Sequence, residues 1–251
     1  MKIAVSGKGG VGKTTFSALL IRTLDEMGKN VLAIDSDPDA NLAAALGIHE
    51  AEHITPIAEM NELVQERTEA QPGGIGGFFK LNPKVDERPD ALSARLNGIK
   101  LMRLGGVKKG GSGCICPEST LLRALVMHIV LARDEVVVMD MEAGIEHLGR
   151  GTAGAVDKLM VVVEPGRRSI DTADHIRKLA GEIGLTQIAV VGNKIRSDKD
   201  EAFLRKHLND FEFIGFLPYE DALIEADLSG VSPFDVATET KSIVRGFIDR
   251  L

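Results

Sequence analysis

Short apolar runs rich in valine and isoleucine recur along the chain and alternate with stretches whose apolar residues return at helical spacing. The runs show no polar alternation, so strands made from them are covered on both faces. This order predicts an α/β fold with a doubly wound, mostly parallel sheet flanked by helices. The predicted strands are KIAV, VLAID, IKLMRL, EVVVMD, KLMVVVE, IAVVGNK and FIGFL, and the predicted helices are Thr14 to Met27, Ser119 to Ala132, Ser169 to Ile183, Asp200 to Leu208 and Thr238 to Leu251.

One stretch, from about His49 to Asn97, fits the alternation poorly. A possible helix from Ile57 to Glu69 is followed there by QPGGIGGFF and scattered prolines. We interpret residues 49–97 as a surface excursion from a single domain that spans residues 1–251. The sequence indicates neither an internal repeat nor a separate second domain.

Composition narrows the possible partners. The chain has 251 residues, 44% of them hydrophobic, which is enough to bury a core. The net charge of −7 gives no excess of basic residues that could bind phosphate backbones, so we expect no nucleic-acid partner. No run approaches the roughly 20 apolar residues of a membrane span, and the chain opens on the strand-like KIAVSG rather than a leader. We expect a cytoplasmic protein, whose two cysteines serve metal or redox chemistry rather than a disulfide.

The segment SGKGGVGKTT, residues 6–15, is the strongest motif in the chain. It satisfies the phosphate-loop pattern G-x-x-x-x-G-K-[ST] between a predicted strand and a predicted helix. Glycines let backbone N–H groups face the phosphates, and the helix N-terminus adds partial positive charge. We expect Lys13 to neutralise the β and γ phosphates, Thr14 to ligate magnesium and Thr15 to contact the α phosphate. The predicted nucleotide-binding residues of the loop are Gly9, Gly10, Val11, Gly12, Lys13, Thr14 and Thr15.

Acidic residues follow two of the predicted strands. IDSDPDAN places Asp37 after the second strand, where a carboxylate can hold a magnesium-bound water or orient the attacking one. VVVMDMEAG places Asp140 at the end of a later strand, where it can support magnesium, and Gly144 four residues on can sense the γ phosphate through its N–H. For Asp37, a helix cap or turn aspartate is the alternative interpretation.

The two lysines of GKGGVGKTT resemble the deviant phosphate loop of an ATPase family that includes the nitrogenase iron protein, the Min-type cell-division ATPase and the arsenite-pump ATPase. The resemblance implies that Lys8 reaches across a homodimer interface to the nucleotide of the opposite subunit. It also implies that Asp37 positions the hydrolytic water and that residues 140–144 form the second switch. A lysine donated in this way stabilises charge only when two nucleotide-bound subunits meet, as an arginine finger does.

Two later segments bear on the choice of base. VVGNKIR, residues 190–196, resembles a base-recognition segment in which Asn193 contacts the purine. A guanine-selective loop has aspartate where this chain has Arg196, so ATP is favoured over GTP. FLPYE supplies a second wall of the adenine pocket, with Pro218 giving a backbone contact. Plain strand-to-helix turns are the alternative for both segments.

A pair of cysteines lies in GGVKKGGSGCICPEST, residues 105–120. In an extended segment Cys114 and Cys116 point the same way and offer two soft ligands to one metal. A closed site needs four ligands, and a symmetric dimer would supply them from both subunits. The pair therefore predicts a nickel or zinc site shared across the dimer, with buried core cysteines as the alternative.

Together with DMEAGIEHLGRG at residues 140–151, the cysteine pair closely resembles the CooC-type accessory ATPases of nickel carbon monoxide dehydrogenase maturation. This resemblance implies a magnesium-dependent ATPase, converting ATP to ADP and phosphate, that acts as a dimeric metallochaperone. Its client would be nickel carbon monoxide dehydrogenase, into whose active-site cluster it carries or inserts nickel. His147 lies close behind the second switch, and we leave it outside the metal site.

Two alternative functions stay open. One is an ATP-dependent electron-transfer reductase with a bridging iron–sulfur cluster, although the nitrogenase iron protein takes its cluster cysteines from two separate loops. The other is a Min- or Par-type positioning ATPase. Its membrane-targeting tail is poorly matched by the C-terminal TKSIVRGFIDRL, whose basic character is modest, so we expect no membrane partner.

Overall fold

A computed structural model describes residues 1–37, 39–48, 54–60, 62, 93–105, 135–145 and 156–251. Several sequence predictions fall outside these residues. They are the helix from Ser119 to Ala132, the pair Cys114 and Cys116, His147, and most of the excursion at residues 49–97.

Eight strands form the sheet of the described chain. They are β1 (Lys2–Gly7), β2 (Val31–Asp35), β3 (Ala94–Leu96), β4 (Ile99–Arg103), β5 (Val136–Asp140), β6 (Lys158–Val163), β7 (Ile188–Ile195) and β8 (Glu212–Pro218). Their order is β3-β4-β2-β5-β1-β6-β7-β8, and every neighbouring pair is parallel except β3 with β4. The predicted doubly wound α/β fold is confirmed, and each predicted strand is present.

Strand β3 was not predicted. Its residues lie at the end of the stretch that we interpreted as an excursion, yet they pair with β4 at the edge of the sheet. The hairpin turn between the two strands contains Asn97, whose φ is +53°. Asparagine tolerates this left-handed conformation better than most residues. The excursion therefore returns to the sheet before residue 97.

Seven helices are described, and four of them match predicted helices within a few residues. Those four are α1 (Lys13–Glu26), α3 (Arg167–Ile183), α4 (Asp198–His207) and α7 (Glu239–Ile248). The three that were not predicted are α2 (Leu42–Leu46), α5 (Asp221–Ser229) and α6 (Pro233–Val236). Of the possible helix that began at Ile57, the described part is a single 3₁₀ turn at Ile57–Glu59. None of the described helices is long and apolar enough to cross a membrane.

Both faces of the sheet are buried, which explains the uninterrupted apolar runs. In β2, Leu32 and Ile34 pack into the layer that contains α3 and α4. Val31 and Ala33 pack into the opposite layer, which contains α1, α2, α6 and α7. Each fully buried leucine or isoleucine contributes about 1.5–3 kcal/mol. Consecutive apolar residues are therefore favoured at every position of such a strand.

The strand order places β1 in the centre of the sheet, between β5 and β6. The connections diverge from this point, and ligands of open α/β sheets bind beyond the carboxyl ends of the strands there. The loop after β1 lies at this edge and leads into α1. The residues at or next to the carboxyl ends of the neighbouring strands include Asp35, Asp140, Glu164, Asn193 and Pro218.

Candidate functional site

The loop between β1 and α1 depends on glycine for its shape and its space. Gly7, Gly10 and Gly12 have φ values of +147°, +81° and +92°, which side-chain-bearing residues rarely adopt. A Cβ on Gly7 would lie 2.3 Å from the carbonyl oxygen of Val162, and one on Gly12 would lie 2.4 Å from Nδ2 of Asn193. These requirements support the identification of residues 7–12 as a phosphate loop.

Lys13 begins α1 directly after this loop. Its side chain is largely buried, and its Nζ donates a weak hydrogen bond to the carbonyl oxygen of Lys8 at 3.4 Å. The ammonium is thus folded back over the loop. Among the described residues no side chain caps the N-terminus of α1, so its first N–H groups are available to an anion. Lys13 and the helix end together form a positive site that suits a phosphate group.

Asp140 is buried at the end of β5 and receives hydrogen bonds from the first turns of α1. Ser17 Oγ donates to Asp140 Oδ1 at 2.9 Å, and the side chain of Thr14 also contributes a stabilising hydrogen-bonding interaction to this carboxylate. Burial raises the pKa of Asp140 to about 6, although both hydrogen bonds and the charge of Lys13 oppose the rise. A hydroxyl and a carboxylate are the oxygen ligands that Mg²⁺ prefers. The pair Thr14 and Asp140 therefore fits the predicted magnesium site.

Asp35 is a second buried carboxylate, and the sequence analysis missed it. It lies opposite Asp140 in the register of β2 and β5 and is only 1% exposed. Burial, and then repulsion by Asp140, raises the pKa of Asp35 to about 7. The sequence signal was the charged residue that ends an otherwise apolar strand, and our interpretation of IDSDPDAN passed over it in favour of Asp37.

Asp37 lies in the loop between β2 and α2 and is partly buried. Its backbone N–H donates to Asp35 Oδ1 at 3.2 Å, and its own Oδ1 accepts from the backbone N–H of Asp39 at 3.0 Å. This loop is the predicted first switch. The task of orienting the attacking water stays a prediction for Asp37.

The predicted second switch is anchored to β1 by one serine. Ser6 Oγ lies 2.9 Å from the carbonyl oxygen of Gly144 and 3.1 Å from that of Glu142, and it donates to both. The N–H of Gly144 donates to the carbonyl oxygen of Glu142 at 2.7 Å. The N–H that we expect to sense the γ phosphate is therefore bonded within the switch and must exchange partners to do so.

Lys8 lies on the outer surface of the loop, with about one-third of its side chain exposed. Its Nζ is 3.8 Å from Glu164 Oε1, at the end of β6. The other carboxylate oxygen of Glu164 lies 3.1 Å from Nζ of Lys194, which also donates to the carbonyl oxygen of Gly10 at 2.6 Å. Lys8 is thus held by a partly exposed ion pair rather than buried in its own phosphate site.

Asn193 braces the phosphate loop from the end of β7. Its Nδ2 donates to the carbonyl oxygen of Val11 at 2.8 Å, and its Oδ1 accepts from the backbone N–H of Lys194 at 2.9 Å. Lys194 has a φ of +59°, which turns its ammonium back toward Gly10. The sequence analysis did not foresee this brace. Purine recognition by Asn193 stays a prediction.

Two cavities adjoin the loop. One of about 450 Å³ begins at Thr14 and Thr15 and is walled by α2, α5 and α6, including Leu223 and Asp227. Its size falls in the range of small-molecule sites. Another of about 240 Å³ lies between the ends of β6, β7 and β8 and is lined by Arg196 and Tyr219, among others. The guanidinium of Arg196 stacks 3.9 Å from the ring centre of Tyr219, the residue after Pro218. Pro218 therefore lies next to this cavity, at the carboxyl ends of the strands, and its contact with adenine stays a prediction.

The metal site predicted at Cys114 and Cys116 lies outside the described residues. Within the part of the chain that the structure describes, no group of three or more His, Cys, Asp or Glu side chains is placed to hold a metal ion. Nickel or zinc binding by the cysteines stays a prediction.

Comparison with known proteins identifies close relatives. The carbon monoxide dehydrogenase accessory protein CooC of Rhodospirillum rubrum is 47% identical over 240 residues, which cover 94% of this chain and 90% of that protein. An uncharacterized ATP-binding protein of Methanocaldococcus jannaschii is 42% identical over 233 residues, which cover 92% of this chain and 90% of that protein.

Solved structures share the fold at lower identity. The MinD cell division protein of Aquifex aeolicus superposes with a TM-score of 0.69 at 21% identity, covering 100% of this chain and 96% of that chain. MinD of Pyrococcus horikoshii, complexed with Mg-ADP, gives 0.68 at 18% identity, covering 99% and 94%. The family model of the CobQ/CobB/MinD/ParA nucleotide binding domain matches residues 2–234. This chain, with its glycine-dependent phosphate loop at the central strand, belongs to the CobQ/CobB/MinD/ParA family of nucleotide-binding domains.

Proposed function

We propose that this chain is a magnesium-dependent ATPase that works as a homodimer in the maturation of nickel carbon monoxide dehydrogenase. The observation that carries the ATPase part is the convergence of Lys13, Thr14 and Asp140 at the carboxyl end of β1. The client is supported by the 47% identity to CooC of Rhodospirillum rubrum, which extends over 94% of this chain.

Phosphate binding comes first. The N–H groups of the loop and of the first turn of α1 point at the β and γ phosphates, and Lys13 neutralises their charge. Thr14 would hold Mg²⁺ with the support of Asp140, and the ion would supply further neutralisation of the triphosphate. The base would lie toward Asn193 and Pro218, next to the cavity that is lined by Arg196 and Tyr219.

Hydrolysis requires an oriented water and a positive charge that arrives from outside the subunit. Asp37 holds the attacking water in line with the γ phosphate. Lys8 leaves Glu164 and contacts the nucleotide of the partner subunit, so that charge developing on the phosphates is stabilised only in the dimer. The exposure of Lys8 on the outer surface of the loop supports this role, since a lysine that served its own subunit would point inward as Lys13 does.

The nickel site is proposed at Cys114 and Cys116 of both subunits. Thiolates suit nickel and zinc, and four of them in tetrahedral arrangement favour zinc, so the purified protein is expected to carry zinc even where nickel is the cargo. Approach of the subunits on ATP binding would change the spacing between the two thiolate pairs, and hydrolysis would then drive loading or release. By linkage, the metal promotes dimerisation in return.

The proposal is tested by activating nickel-free carbon monoxide dehydrogenase with Ni²⁺ in the presence of anaerobically purified protein and Mg-ATP. The expected result is activation that is lost in Lys13→Ala and in the Cys114→Ala, Cys116→Ala double variant. ATP hydrolysis without any activation would leave the ATPase assignment and contradict the client. Visible iron–sulfur absorption in the purified protein would favour an electron-transfer reductase, and binding to vesicles or DNA would favour a positioning ATPase.

A further inference from the structure

We infer that Asp35 is a positioning residue for ATP hydrolysis, because its buried carboxylate ties both ends of the loop that carries Asp37. The inference rests on the proposed function, in which Asp37 orients the attacking water. It adds a residue that does not itself contact the nucleotide and that acts through another side chain.

The geometry of the tie is simple. Asp35 is the last residue of β2, and its carboxylate accepts two backbone hydrogen bonds with different oxygens. Oδ1 accepts from Asp37 N at 3.2 Å, and Oδ2 accepts from Leu42 N, the first residue of α2, at 3.0 Å. Both ends of the loop of residues 36–41 are therefore tied by hydrogen bonds to one carboxylate.

Only a carboxylate satisfies this arrangement. Both partners are N–H donors, so the side chain between them must offer two acceptor oxygens and no donor. Asparagine has the same shape but offers only one acceptor oxygen. Its NH₂ group would face one of the two backbone N–H groups, and neither could accept a hydrogen bond from the other. Replacement of Asp35 by Asn therefore releases one end of the loop while it leaves the volume of the core unchanged.

The tie determines where the Asp37 carboxylate lies. The backbone of Asp37 is held by Asp35, and its side chain is held by the N–H of Asp39 at 3.0 Å. A shift of about 1 Å in a group that orients a reactant costs on the order of 100-fold in rate. The two side-chain hydrogen bonds described for Asp35 go to the switch loop and not to the phosphate loop. Its loss should therefore affect hydrolysis and spare ATP binding.

The surroundings of Asp35 oppose a charge, and an acidic side chain nevertheless occupies the position. Its side chain is 1% exposed and its register partner is another carboxylate, Asp140. Burial and repulsion by Asp140 raise its pKa to about 7. A residue that only filled this part of the core would be apolar. The hydrogen bonds to the switch loop account for the retention of the acid.

The test compares Asp35→Asn with the matched control Asp171→Asn, which makes the same change at an exposed position of α3. Steady-state hydrolysis gives kcat, and binding of a fluorescent ATP analogue gives Kd. We expect Asp35→Asn to lower kcat by about 10- to 100-fold and to change Kd by less than about 2-fold. The Asp171→Asn control should stay within about 2-fold of the parent in both. An unchanged kcat in folded Asp35→Asn overturns the inference.

A double-mutant cycle separates positioning from a general effect on the fold. If Asp35 acts through Asp37, the Asp35→Asn change should have no further effect on single-turnover hydrolysis in an Asp37→Ala background. Equal fold losses in both backgrounds contradict the inference. If Asp37→Ala itself hydrolyses normally, the proposed function fails instead, so the two failures are distinguishable.

A second variant keeps the test decisive if Asp35→Asn is not recovered folded. Asp35→Glu retains the charge and both acceptor oxygens but displaces them by one methylene group. We expect it to lower kcat with Kd retained, since the loop would follow the displaced oxygens. A folded Asp35→Glu with the kcat of the parent contradicts the inference.

Discussion

Lys8 Nζ lies 3.8 Å from Glu164 Oε1, so the lysine proposed to act on the partner subunit is paired within its own subunit. Both side chains are about one-third exposed. An ion pair in such a setting is worth about 0–1 kcal/mol. This is small enough for the charge of a triphosphate to displace. In the single subunit Lys8 Nζ also donates a weak hydrogen bond to the carbonyl oxygen of Gly9 at 3.4 Å.

Removal of this pair should favour the dimer. In Glu164→Gln, no ion pair with residue 164 has to be broken when Lys8 moves to the nucleotide of the other subunit. We therefore expect half-maximal ATP-dependent dimerisation at up to about 5-fold lower protein concentration. Glu212→Gln is the matched control, because Glu212 pairs with Lys158 at 3.5 Å at the opposite edge of the sheet. Sedimentation across a range of concentrations measures the midpoint. Equal midpoints in the parent and Glu164→Gln would mean that the pair does not restrain Lys8.

Replacement of Lys13 should abolish nucleotide binding. Its ammonium lies over the phosphate loop and makes only a 3.4 Å hydrogen bond to the carbonyl of Lys8, so Lys13→Ala removes charge neutralisation rather than packing. Isothermal titration with Mg-ATP should detect no binding, while thermal unfolding stays near that of the parent. Normal turnover in this variant would exclude the phosphate-loop assignment.

The carboxylate pair predicts a pH dependence of stability. The folded pKa values of Asp35 and Asp140, about 7 and about 6, lie above the usual 3.8, because burial disfavours the charged forms. Between pH 3.8 and about pH 7, the folded state binds more protons than the unfolded state, so the stability of the folded state falls as pH rises. Chemical unfolding of the nucleotide-free protein should therefore show a decline from about pH 4 to about pH 7.

Asp140→Asn is the variant that identifies the source of this decline. It removes one titrating group and the repulsion on Asp35, so its stability relative to the parent should increase with pH over the same interval. Mg-ATP should reduce the decline in the parent, since a cation beside the carboxylates favours their ionised forms. A pH profile identical in the parent and Asp140→Asn would exclude the buried pair as its cause.

The cysteine site predicts a metal stoichiometry of one ion per two chains. The double variant Cys114→Ala, Cys116→Ala should lose this metal, whereas His147→Ala, the control in the same region, should retain it. Affinity in the parent should fall as pH drops, because metal binding displaces thiol protons. Metal analysis of anaerobically purified protein provides the measurement. One metal per subunit retained in the double variant would contradict a shared site.

The local pattern of the sequence was sufficient for much of the fold and of the phosphate site. Strands that are buried on both faces, such as β2, can be recognised in the sequence by their uninterrupted apolar residues. The phosphate loop is a contiguous motif in which Gly7, Gly10 and Gly12 are required by conformation or by contact, as Gly7 shows against Val162. The positions of Lys13, Thr14 and Asp140 follow from that motif and from the parallel sheet.

Contacts between distant residues could not be predicted in the same way. Ser6 and Gly144 are 138 positions apart, and Asn193 and Val11 are 182 apart, so no local pattern records either hydrogen bond. The role of Asp35 depends on the register between β2 and β5, which only the folded sheet defines. Short helices such as α2 contain too few residues to show a helical period.

The central claim is that ATP brings two subunits together through Lys8, and the mass of Asp37→Ala in Mg-ATP tests it most directly. This variant should bind ATP and hydrolyse it only at a slow residual rate, so light scattering after gel filtration should give twice the chain mass of 26.9 kDa. Adding Lys8→Ala to the same variant should return the mass to that of one chain, with ATP still bound. A double variant that dimerises as fully as Asp37→Ala, or an Asp37→Ala protein that stays at 26.9 kDa with ATP bound, would contradict the account.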